Sequence, residues 1–180
     1  MIAIETVFWM FVVVFCFIGF VRGWAREILV TASVVLAYFI IYVMSSIGLV
    51  ARFLQAGQVP DSNVITIQQF WFQVIILLLL VFFGYETPSI PRLAGNRFKR
   101  DNFRDSALGF IMGGFNGYMI LGSLWAFLGQ ANYPGDFIIQ QFSQEAIDLY
   151  NRLPPTWLMD SPTILIAVIL AFLFLIIVFV

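Results

Sequence analysis

The chain has 180 residues, 62% of them hydrophobic and only 11% charged, with a net charge of −1. A soluble domain carries about 25% charged residues, so this composition excludes a water-soluble globule and also a basic surface for nucleic acid. There is no histidine and a single cysteine, Cys16, which excludes Ser-His-Asp and Cys-His catalysis, an intramolecular disulfide, and the commonest ligand for haem, chlorophyll and metal ions.

The mean hydropathy of +0.97 gathers into long apolar runs. The first, from about Ile2 to Phe20, has no basic segment before it and carries Glu5 near its start. It therefore reads as a retained span and not as a removable signal. Further runs follow at about Ile28–Val50, Val64–Tyr85, Ser106–Gly129 and Thr163–Val180. Each approaches the ~20 residues that cross about 30 Å of hydrocarbon as a helix, the one open-ended structure whose backbone satisfies itself in lipid. Between the first two runs, Gly19–Glu27 reads as a tight link. Ala51–Asn63 and Glu86–Arg104 read as loops, Pro60-Asp61-Ser62 as a helix start, and Asp105 as the N-cap of the fourth span. Around Asp136–Arg152, Ile138, Ile139, Phe142, Ala146, Leu149, Tyr150 and Leu153 recur at helical spacing opposite Gln140, Gln144, Glu145, Asp148 and Asn151. This predicts an amphipathic helix at the interface, ended by Pro154-Pro155 and anchored by Trp157.

The expected fold is all-α: a polytopic helical membrane protein of about five transmembrane helices plus one amphipathic interfacial helix. It divides into a membrane domain over 1–130, an extracytoplasmic amphipathic segment over 131–162, and an additional transmembrane helix over 163–180. The first and third loops hold Arg22, Arg26, Arg92, Arg97, Lys99, Arg100 and Arg104, against Arg52 and Arg152 in the second and fourth. The positive-inside rule then puts the N-terminus outside and the C-terminus in the cytoplasm.

Three groups of residues stand out. Gly109, Gly113 and Gly117 recur every four residues along the fourth span, and Gly19 and Gly23 repeat the step. Glycine costs a helix about 1 kcal/mol relative to alanine, so such a face implies close backbone approach, a flexible gate, or a flat cofactor lying on it. Ser33 and Ala37 offer a partner surface. Arg22, Arg26 and Glu27, joined by Asp105 entering from the same side, form the sharpest charged cluster. They read either as snorkelling arginines that set topology or as a buried ion-pair cluster. Gln69 and Gln73 share a helix face, and Asn116 lies among the glycines; these provide interhelical hydrogen bonds or a polar lining and ligand contact. The basic run Arg97-Phe98-Lys99-Arg100 is an orientation signal or an anionic-lipid contact. No nucleotide, zinc or calcium motif occurs, and no metal site or catalytic constellation is expected.

The stretch Gly19-Phe20-Val21-Arg22-Gly23-Trp24-Ala25-Arg26-Glu27 with Leu29 resembles the Gly-x-x-Arg-Gly-x-x-Arg-Glu of the colicin V production protein (CvpA) family. Asp105 followed by Gly109, Gly113 and Gly117 is similar to that family's Asp-x-x-x-Gly-x-x-x-Gly-x-x-x-Gly. The resemblance covers roughly the first two thirds of the chain, with a weaker echo in Trp157 and Ser161-Pro162. Members often have arginine where this chain has Asn116, and they usually span the membrane four times, so Thr163–Val180 looks like an addition. The resemblance implies a bacterial cytoplasmic membrane protein with a role in toxin export and envelope homeostasis.

The expectation is thus a non-enzymatic membrane protein acting through helix packing as a scaffold. Its partners would be membrane lipids and other transmembrane proteins, with no nucleic acid. No cofactor is expected beyond packing contact with lipid, quinone or pigment. The alternatives are an accessory subunit of a respiratory or photosynthetic complex, and a small transporter or channel.

Overall fold

The computed structural model describes residues 3–56, 64–86, 102–133 and 143–179. They form α1 (Ile4–Arg22), α2 (Trp24–Ser46), α3 (Gly48–Leu54), α4 (Ile67–Glu86), α5 (Asn102–Gln130), α6 (Gln144–Tyr150), α7 (Pro154–Leu158) and α8 (Ser161–Phe179), and no strand occurs among the described residues. The protein is all-α and multi-pass. α1, α2, α4 and α5 are each long and apolar enough to cross a membrane, and the pair Gln144–Leu158 and Pro162–Phe174, bent by 71°, makes a fifth if taken as one span. Exposed Met10, Phe17 and Val21 on α1, and Ile166, Ile169 and Leu170 on α8, suit lipid and not water.

α5 is the axis. α1 runs antiparallel to it: Gly19 meets Gly109 and Gly113 at one end, and Phe8 packs on Trp125 toward the other. α2 runs parallel to α5, with Glu27 beside Asn116 and Tyr38 beside Ser123. α4 returns antiparallel to both, its approach tied by Ile65 N–H to the Gln130 carbonyl and its far end at Arg22. The core follows from helical spacing. Val30, Val34, Ala37, Tyr38 and Ile41 of α2 meet Leu77 and Val81 of α4, and Met119, Ile120 and Phe127 of α5. A second cluster joins Phe8 and Val12 to Trp125, Ala126, Ala146 and Leu153.

Several boundaries differ from the expected ones. The link between the first two spans is Gly23 alone, at φ 84°, so Arg22 ends one helix while Arg26 and Glu27 belong to the first turns of the next. Glycine tolerates this left-handed reversal, and its N–H still bonds the Gly19 carbonyl at 2.9 Å. The second span stops at Ser46, and the following loop begins with α3, docked where the Thr66 hydroxyl donates to the Leu54 carbonyl. Asp105 is not a cap: α5 begins at Asn102, which places Asp105 inside its first turn. The expected amphipathic helix is helical over Gln144–Tyr150, because Ser143 Oγ caps it by accepting from Ala146 N at 3.0 Å. Asn151 and Arg152, also expected in it, lie in a turn, while its part before residue 143 and the Pro60-Asp61-Ser62 helix start fall outside the described residues. Pro154 and Pro155 were expected to end that helix, but it stops at Tyr150 with Asn151 as its C-cap, and the two prolines instead open α7 at its first positions, where a missing N–H leaves no gap.

Candidate functional site: a buried polar joint where four helices meet

The glycine break at residue 23 places a charged pair across two helices. Arg22 Nε donates to Glu27 Oε1 at 3.0 Å. The Glu27 side chain is fully buried, whereas Arg22 keeps a fifth of its surface (21%). The second carboxylate oxygen accepts from Asn116 Nδ2 of α5 at 2.8 Å, and the same nitrogen donates to the Glu27 main-chain carbonyl at 2.8 Å. Asn116 Oδ1 accepts from Thr31 Oγ1 at 2.7 Å. Arg22 also donates through a terminal nitrogen to the Tyr85 carbonyl at 2.9 Å, and its guanidinium lies 4.6 Å from the centre of the Tyr85 ring. One network therefore ties the end of α1, the start of α2, the end of α4 and the middle of α5. A buried carboxylate needs such pairing, because removing an isolated charge from water is prohibitive.

Small residues bring these groups within reach. A Cβ on Gly19 would clash with the Gly109 carbonyl and lie 2.7 Å from Gly113 Cα. One on Gly109 would lie 3.0 Å from Gly23 Cα, and one on Gly117 2.6 Å from Phe15 Cβ. The Asp105 carboxylate packs on Gly23, with Oδ2 2.6 Å from where a Cβ would stand. Gly19 is thus the partner of Gly109 and Gly113, whereas Gly117 receives the Phe15 side chain. Ser33, expected to face them, instead meets Gly84 of α4, at 2.6 Å from its would-be Cβ, and Ala37 lies buried in the core.

The expected residues do not all converge. Arg22, Glu27 and Asn116 do, and Asp105 sits beside them against Gly23, whereas Arg26 is exposed on α2. Gln69 and Gln73 lie elsewhere on α4; Gln73 is buried with its Oε1 unbonded, and Gln69 is half-buried. Thr31 and Tyr85 were missed. Thr31 is four residues after Glu27, so helical spacing alone could have found it; no sequence signal marks Tyr85. A second polar contact, Tyr38 Oη with Ser123 Oγ, lies deeper between α2 and α5. Among the described residues, no group of three or more cysteines and acidic residues could hold a metal ion.

Compared with known proteins, the chain matches no family model, no curated protein and no solved structure.

Proposed function

We propose that this protein is a non-enzymatic membrane scaffold, of the assembly- or export-supporting kind that its CvpA-like motifs imply. It holds other transmembrane proteins against its outward apolar faces. The observation that carries this reading is that four polar side chains at the meeting of α1, α2 and α5 bond one another. Arg22, Glu27, Asn116 and Thr31 close a joint between helices, an arrangement suited to locking a shape.

In the proposed setting, the bacterial cytoplasmic membrane, the joint lies at the cytoplasmic end. Arg22, Arg26 and Arg104 stand at that end of the helices, against Arg52 and Arg152 toward the other. The N-terminus is then outside and the C-terminus inside.

The test is purification of the full chain from its native membrane in mild detergent after brief cross-linking. Recovery of a defined membrane-protein partner, lost in a Glu27→Gln variant that still inserts, supports the proposal. Recovery of the bare chain alone would sink it. A fixed stoichiometry inside a respiratory or photosynthetic particle would favour the accessory-subunit reading, which the broad exposed apolar faces also suit. Solute flux in liposomes that depends on Asn116 would favour the transporter.

A further inference from the structure

We propose that the cleft between α2 and α8 is a binding site for a single anionic phospholipid, with one acyl chain in the cleft and the phosphate on Arg26. This does not depend on the scaffold reading. The cleft encloses about 170 Å³ and is lined by Leu29, Ala32, Ser33 and Leu36 of α2, and by Ala171 and Phe172 of α8. Ala32, Ser33 and Ala171 are small, which makes it concave. Its one hydroxyl is satisfied, since Ser33 Oγ donates to the Leu29 carbonyl at 2.8 Å. Nothing in the lining therefore invites a polar occupant, and a void there forfeits dispersion contacts on both walls.

Length and charge select the occupant. From Arg26 to Leu36, α2 rises about 15 Å at 1.5 Å per residue, which is one leaflet of a hydrocarbon core about 30 Å thick. Trp24 opens α2, at the depth where tryptophan marks the headgroup boundary. Arg26 follows it, exposed, and precedes Leu29 and Ser33 by three and seven residues, so it shares their side of the helix. Arg22 is engaged by Glu27 and the Tyr85 carbonyl. Arg26 is exposed about one turn before Leu29, toward the Trp24 end of the apolar cleft, and is the cation placed to meet a phosphate there.

The experiment is native mass spectrometry of the full chain, loaded in turn with phosphatidylglycerol and with phosphatidylcholine of the same acyl chains. One phosphatidylglycerol should be retained in clear preference to phosphatidylcholine. Arg26→Gln, a change at an exposed position, should cut that preference about fivefold, the factor for one basic residue at ~1 kcal/mol, and Arg26→Lys should keep it. Ala171→Phe should displace either lipid; if that variant does not fold, Ala32→Leu fills the opposite wall and should do the same. Equal retention of the two lipids, an unchanged preference in Arg26→Gln, lipid still bound in the filled variants, or a retained species without phosphate would each overturn the proposal.

Discussion

Gly113→Ala puts a single methyl where every close neighbour is main chain. The new carbon would clash with the Phe15 carbonyl oxygen and lie 2.9 Å from Gly19 Cα and 3.0 Å from Gly19 N. No side chain can swing aside. Carbon atoms settle at about 3.5–4.0 Å, so α1 must retreat by roughly 0.5–1 Å, and a gap of that size gives up about a quarter to a half of each contact along the α1–α5 seam. Overpacking of this kind costs about 1–3 kcal/mol, and alanine returns about 1 kcal/mol of helix propensity. The net loss is up to about 2 kcal/mol, or a melting point lower by up to about 8 °C for a chain of this size. Thermal unfolding in detergent, followed by tryptophan fluorescence, reads it directly. Gly48→Ala is the control, since a Cβ there has nothing within 4 Å, and it should melt at or slightly above the parent. If Gly113→Ala melts as high as Gly48→Ala, the close-approach argument is wrong.

Three other changes follow from the polar contacts. Glu27→Gln presents an amide N–H₂ to either Arg22 Nε or Asn116 Nδ2, both donors, and should destabilise the bundle by about 2–3 kcal/mol in the same melt. Asn116→Asp sets a second carboxylate against Glu27 and loses both N–H bonds; it should lower the melting point further than Glu27→Gln, and an equal or smaller drop would count against the assigned donors. Gln73→Leu goes the other way. It removes a buried oxygen without a partner at similar volume, and should raise stability by about 1 kcal/mol. A lower melting point would mean that the Gln73 amide has a bonding role.

The sequence conveyed the helical class and its spans well, because apolar runs near 20 residues have one physical solution in lipid. The ends were less legible. A single glycine at positive φ suffices to reverse the chain at residue 23, yet in one dimension the surrounding polar residues look like a longer loop. The four-residue step of Gly109, Gly113 and Gly117 marked a face for close approach; that its partner is Gly19 is tertiary information. The charged cluster was legible in composition and not in pairing. Arg22 and Arg26 are equivalent in sequence, but the break at Gly23 sends one toward Glu27 and Tyr85 and leaves the other outside. Gly84 carried no spacing signal, and its meeting with Ser33 depends on how α4 returns.

How the polar residues are distributed along the bundle bears on what the protein does. On α2, Glu27, Thr31 and Tyr38 share a face, and they meet Asn116 and Ser123 on α5. A stripe of this kind could line a path if it were continuous. Asn116 and Ser123, however, are about 10 Å apart at 1.5 Å per residue, and the layer between them holds Val34, Met119 and Ile120, all buried. These buried apolar side chains separate the two polar tiers. Helices in lipid lack a hydrophobic drive toward one another, so two separated polar contacts and a glycine seam serve to set register and spacing. On the proposed scaffold reading, selectivity toward a partner would reside on the perimeter: on the outer side of α1 bearing Met10, Phe17 and Val21, and at the cleft where α8 leans on α2.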